Sequence, residues 1–219
     1  MIKSAATNRG LVVRWLSLSL VTLSFVLGAL GVHNARAGEA TEEMRSTIEE
    51  VLRIIQDQEL KQPKRFEERR KLLEKVVGER FDYREMSFRT LSISQGDPWK
   101  NLTEKEREEF VELFQTLLVN LYAGKIESYS GEGVKYINER VEDDYAEVRT
   151  KVLTGKTDIP LYYRLKKKPA GWRVYDVVFE ESTSLVKNYQ DQFKSILRTK
   201  TFSELLDQLR VKTAKLKSP

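Results

Sequence analysis

Apolar positions in the first half of the chain recur at helical spacing. Met44, Ile48, Val51, Leu52 and Ile55 share one face, the mark of an amphipathic helix. Thr41 stands before them as the expected N-cap, with Glu42 and Glu43 suited to the positive helix end. Pro63 fits the first turn of a second helix carrying Phe66, Leu72, Leu73, Val76 and Val77, which Gly78 is placed to end. A short third helix is predicted over 82–91, with Asp82 as cap and Met86 and Leu91 as apolar contacts. A turn follows at Gln95-Gly96-Asp97-Pro98. The local signal is strongest at Thr103-Glu104-Lys105-Glu106, a capping box. Behind it Phe110, Phe114, Leu117, Leu118 and Leu121 form a wide apolar stripe that ends near Gly124.

After Gly131 and Gly133 the period changes to two. Ala146, Val148, Thr150 and Val152 face one way, with Glu147, Arg149 and Lys151 opposite. Ile159, Leu161, Tyr163 and Leu165 alternate with Tyr162, Arg164 and Lys166. Lys168-Pro169-Ala170-Gly171 turns this strand into another over 172–179, a hairpin. That last strand is apolar on both faces, with Trp172, Val174 and Val178 on one and Tyr175, Val177 and Phe179 on the other. The pattern predicts a central, doubly covered strand. Helical spacing then returns. Ser184 caps a helix with Leu185, Tyr189, Phe193 and Ile196, and the capping box Thr201-Phe202-Ser203-Glu204 opens one with Leu205, Leu206 and Leu209. Strands bracketed by helices define an α+β fold, with N-terminal and C-terminal helices packed on a twisted, mostly antiparallel sheet.

Composition changes this picture at the N-terminus. Lys3, Arg9 and Arg14 precede an apolar run from Leu16 to Leu30, and Ala35-Arg36-Ala37 supplies small residues at −3 and −1. This order predicts a secretory signal over 1–37, cleaved after Ala37, since the run is too short and Ser-dotted for a membrane anchor. No cysteine stands at the cut to be lipidated, and no twin-arginine pair is present, so export as an unfolded chain is expected. Removing the signal leaves 182 of 219 residues, a comfortable single domain over 38–219. It also removes four of the 38 basic side chains and none of the 33 acidic ones, so the remainder carries +1. The basic pI of 9.2 belongs to the whole chain, and no nucleic-acid partner is expected.

The single histidine, His33, leaves with the signal, and the chain has no cysteine. A thiol nucleophile, an imidazole base and an N/S zinc site are therefore excluded from the remainder. Asp176 is the sharpest catalytic candidate. Alternation places it among Trp172, Val174 and Val178, where desolvation favours a general base. Pairing with an Arg or Tyr across the sheet, or accepting backbone hydrogen bonds, is the favoured alternative, because unpaired buried charge is scarce. Asp143-Asp144 lacks a calcium-loop partner and reads as a solvated loop. Lys166-Lys167-Lys168 reads as a solubilising run at a hairpin tip, open to an anionic headgroup or partner. Tyr162, Tyr163 and Tyr175 are candidate pocket walls, although strand aromatics are more often packing. No catalytic residue, metal site or cofactor is assigned. Amphipathic helices over a twisted sheet can enclose an apolar pocket, which suits binding better than catalysis.

Two segments carry a further likeness. Gly171-Trp172-Arg173-Val174-Tyr175-Asp176-Val177-Val178, followed by Ser184-Leu185-Val186-Lys187-Asn188-Tyr189-Gln190-Asp191-Gln192-Phe193, resembles the signature of the MlaC family. Phe81, Asp82, Met86, Trp99, Thr103, Phe110, Phe114, Leu117, Leu118 and Tyr122 match in order and spacing. Two places depart from the family pattern. Glu180-Glu181-Ser182-Thr183-Ser184 replaces a shorter, Gly-containing turn, and Gln190 replaces an Arg. The resemblance implies a periplasmic phospholipid-binding shuttle that maintains outer-membrane lipid asymmetry and is not an enzyme. Its partners would be an outer-membrane lipoprotein complex and an inner-membrane Mla-type substrate-binding ring with an ABC transporter. Another apolar lipid, such as a hopanoid, is the alternative cargo; an enzyme using Asp176, or a solid-cored interaction module, are the alternatives of other classes. Exposing an acyl chain of about 15 methylenes costs on the order of 12 kcal/mol, at about 0.8 per methylene. Tails must then be enclosed, and headgroup selectivity is expected to be weak. The expected tail contacts are Leu117, Leu118, Leu121, Val148, Val152, Leu161, Tyr163, Val174 and Val178.

Overall fold

Cap chemistry and apolar spacing set most element boundaries in the computed structural model, which describes residues 38–92, 97–130, 133–155 and 157–217. The expected signal segment, Gln95 and Gly96 of the expected turn, and Gly131 lie outside the described residues. The first helices are α1 (Glu39–Gln56), α2 (Phe66–Arg80), α3 (Tyr83–Leu91), α4 (Pro98–Asn101) and α5 (Glu104–Glu127). A 3-10 turn, Pro63–Arg65, leads into α2. The strands β1 (Val134–Glu142), β2 (Tyr145–Val152), β3 (Ile159–Lys168), β4 (Gly171–Phe179) and β5 (Thr183–Ser184) follow, then α6 (Leu185–Leu197) and α7 (Phe202–Lys217).

Four expected caps are made. Asp82 accepts the Glu85 amide at 2.8 Å, and Ser184 Oγ accepts the Lys187 amide at 2.9 Å. Both Thr103 with Glu106 and Thr201 with Glu204 form reciprocal capping boxes. Thr41 does not cap α1, which starts two residues earlier. Its amide instead donates to Glu139 of β1 at 2.6 Å, so a strand carboxylate satisfies the helix end. Gly78 and Gly124 do not terminate their helices either. A glycine stops a helix by turning left-handed, and neither has a positive φ. Helix α2 ends where Phe81 bridges Val174 in parallel and the Asp82 amide donates to the Val174 carbonyl at 2.8 Å.

The sheet is antiparallel in the order β1-β2-β3-β4-β5. Strand β1, not anticipated by alternation, is a mostly exposed edge with a bulge at Ile137. Strand β4 is not central: among the described residues only the two-residue β5 lies beyond it. Its two apolar faces are accounted for by α2, α3 and α6, which all pack against it. Simple parity also fails within β4. Leu165 pairs with Val174 but Arg164 pairs with Asp176, leaving Tyr175 as a bulge. Trp172 and Val174 therefore share the Leu165 face, Val177 and Phe179 share the Tyr163 face, and Asp176 and Val178 point the other way.

The β3–β4 turn is held against α1. Glu43 accepts the Trp172 amide at 3.2 Å, and Arg80, paired with Glu43, donates to the Trp172 carbonyl at 2.7 Å. Gly171 has φ +96°, and a Cβ there would lie 2.7 Å from the Glu43 carboxylate. Gly171→Ala is expected to cost about 2 kcal/mol through backbone strain, read as a lower urea midpoint with unchanged slope.

Among the described residues, buried apolar side chains form two clusters. The larger joins the start of α1 with α3, α4, α5, α6, α7 and the sheet, with Phe114 edge-on to Tyr189 at 5.1 Å and Phe110 edge-on to Phe193 at 5.5 Å. The smaller joins Ile54, Ile55, Leu60 and Leu73 of the α1–α2 region.

Candidate functional site

The apolar faces of α1, α2, α5 and the sheet do not close on one another completely. They surround a cavity of about 530 Å³, within the usual range for ligand pockets. Helix α1 contributes Met44, Ile48, Val51, Leu52 and Ile55, and α2 contributes Leu73 and Val77. Helix α5 adds Leu118, Tyr122 and Ile126. The sheet supplies Val134, Val152, Leu161, Tyr163, Val177 and Phe179. The cavity thus touches both buried clusters. Its phenols are poorly hydrated: burial pushes the Tyr83 hydroxyl up to about 12, and that of Tyr163 higher still. They stay neutral in the physiological range and supply no anionic base. Charged side chains also border the space, and most are internally neutralised. Arg70 donates to Glu74 at 3.1 Å and to Asn120 at 2.6 Å, while Glu127 faces Arg69 at 3.5 Å.

Of the nine residues expected to contact tails, Leu118, Val152, Leu161 and Tyr163 line the cavity. Leu117, Val148 and Val174 are fully buried in the larger cluster, and Leu121 packs against it. Val178, 3% exposed, lies on the opposite face because of the Tyr175 bulge, which brings Val177 and Phe179 to the cavity in its place. The wide α5 stripe serves two surroundings, core along Leu117 and cavity along Leu118. Sequence reasoning missed the contributions of α1 and α2, whose apolar faces carry the same period whether they meet core or an open space.

Asp176 is buried but fully partnered and lies off the cavity. Its carboxylate accepts the Val186 amide at 2.9 Å, Ser184 Oγ at 2.7 Å and Arg164 Nη1 at 3.1 Å. This is the paired alternative, and it removes the candidate base. Asp143 and Asp144 form the β1–β2 turn, Asp143 with φ +51°. The three lysines are not free at a tip: Lys166 pairs with Glu85 at 3.2 Å, Lys167 with Glu39 at 2.7 Å and Lys168 with Asp82 at 3.0 Å. Of the three tyrosines only Tyr163 reaches the cavity; Tyr175 lies under Arg89 at 4.0 Å. Gln190 donates to the Arg89 and Ser92 carbonyls, both at 3.0 Å, closing the end of α3.

Fold and cavity define an α+β domain built around a partly open apolar cavity. Residues 45–211 match the family described as MlaC protein, and the chain belongs to the MlaC family. A stretch of 89 residues is 27% identical to the intermembrane phospholipid transport system binding protein MlaC of Haemophilus influenzae, covering 38% of this chain and 42% of that protein. The fold is also similar to that of a phospholipid-binding protein from Ralstonia solanacearum solved in complex with a phospholipid. That likeness has a TM-score of 0.67 and 25% identity, over 82% of this chain and 99% of the other.

Proposed function

We propose that this protein is a periplasmic phospholipid shuttle, carrying lipid between an outer-membrane lipoprotein complex and an inner-membrane Mla-type substrate-binding ring with its ABC transporter. Proteins of the MlaC family are lipid-binding transport proteins, not enzymes. The observation that carries the reading is the apolar cavity, formed by a fold similar to the one that holds a phospholipid in the Ralstonia protein. Acyl chains need enclosure from water, whereas a polar headgroup can stay hydrated at the mouth. The signal-like segment over 1–37 supports export to the periplasm.

Protein purified from its native compartment is expected to carry phospholipid in stoichiometric amount, identified by extraction and mass spectrometry. Stripping the lipid is expected to lower the melting temperature by about 5–10 °C, since ligand at 100 times Kd adds about 2.7 kcal/mol and each kcal/mol moves a domain of this size by about 2–4 °C. Returning phospholipid should restore it. A lipid-free preparation with no thermal response to phospholipid would sink the proposal. A hopanoid in the extract would reassign the cargo.

A further inference from the structure

Among the described residues five charged ones border the cavity: Arg70, Glu74, Lys125, Glu127 and Glu180. Arg70, Glu74 and Glu127 are held by ion pairs within the protein. Lys125 and Glu180 are exposed, and neither forms an ion pair among the described residues. They flank one aromatic stack. The Lys125 ammonium lies 5.4 Å from the centre of the Tyr122 ring, and Tyr122 lies flat on Phe179 at 5.7 Å and 10°. Glu180 directly follows Phe179. One cation and one anion without an ion pair thus border the same cavity as this stack, both at exposed positions.

The turn that presents Glu180 is strained. Glu180 has φ +50° and Glu181 has φ +66°, two successive non-glycine residues in the left-handed region. Such strain concentrates at functional sites. The Glu180 amide is tied to the Pro160 carbonyl at 3.2 Å. Glu181 bonds instead to the side chain of Tyr162, on the sheet face turned away from the cavity. The two glutamates are thereby sorted, only Glu180 bordering the cavity.

We propose that Lys125 and Glu180 form a headgroup subsite that favours a zwitterionic phospholipid. Lys125 takes the phosphate diester and Glu180 takes the headgroup ammonium. This rests on the carrier reading above and adds a charge pattern to it. With tails in the cavity, the phosphate comes to lie at the mouth beside Lys125. An ammonium a few atoms beyond it meets Glu180 across the Tyr122–Phe179 stack. Both contacts are wet, so each is expected to contribute about fivefold in affinity, the scale of an exposed ion pair.

The test loads lipid-stripped protein from pairwise mixtures of dioleoyl phosphatidylethanolamine, dioleoyl phosphatidylglycerol and dioleoylglycerol. Wild type is expected to prefer them in that order. Lys125→Gln is expected to erase the advantage of either phospholipid over dioleoylglycerol. Glu180→Gln is expected to erase the preference for the ethanolamine headgroup over glycerol, which has no ammonium. Melting temperatures of both variants, altered at exposed side chains, serve to confirm folding. Equal uptake of all three lipids by wild type overturns the subsite, as does wild-type selectivity in both variants. Uptake of none of the three by wild type counts against the carrier reading itself.

Discussion

Protein carrying Ile48→Asp and Leu161→Asp together is expected to purify folded but with less than about a tenth of the wild-type lipid. The two residues line opposite walls of the cavity, on α1 and β3, and both are only partly buried. In the empty protein their carboxylates can be hydrated, so folding survives. In a loaded protein they would face acyl chains, and an ionised carboxylate with no polar partner there costs several kcal/mol. Far-UV circular dichroism together with lipid extraction reads the outcome. Wild-type lipid content in the folded double variant would rule out this space as the tail site.

The largest stability effect is expected at Asp176. Its side chain is 4% exposed, while its partner Arg164 is 39% exposed, so the ion pair itself contributes little. The larger loss on Asp176→Ala is the stranding of the Val186 amide and the Ser184 hydroxyl, which fix the start of α6. A cost of about 3 kcal/mol is expected, or a melting temperature lower by about 10 °C. Asp176→Asn keeps one acceptor oxygen and should lose about half as much. Because Asp176 does not line the cavity, both variants should retain lipid. A stable Asp176→Asn protein that had lost its lipid would contradict this assignment.

Signals confined to one turn of chain were legible in the sequence. Asp82, Thr103, Ser184 and Thr201 each cap a helix through bonds to residues three positions on, so local spacing suffices to find them. The alternation of β2 and β3 was legible for the same reason. What depended on partners far along the chain was not. Thr41 looks like a cap, yet its amide is satisfied by Glu139, 98 residues away. The bulge at Tyr175 exists only in the pairing with β3, and from that point on β4 presents the opposite face to the cavity. For the candidate site the cost was specific: Val178 was expected where Val177 and Phe179 stand. Periodicity also cannot separate a face that packs from a face that borders empty space, which is why Leu117 and Leu118 were grouped together and Ile48 and Leu52 were overlooked. The Arg-to-Gln departure at position 190 found a structural explanation, since the Gln190 amide closes the end of α3.

The separation of the apolar interior into two clusters bears on the kinetics of exchange. A tail lying in the cavity would act as part of the protein's own interior, bridging two apolar clusters that the empty space leaves apart. Uptake should carry a large negative heat-capacity change, as apolar burial does. Escape into bulk water would expose both the tail and the walls it had joined, so the spontaneous off-rate should be far too slow for transport. Cargo would leave on a useful timescale only through collision, with an acceptor presenting apolar surface before the donor lets go.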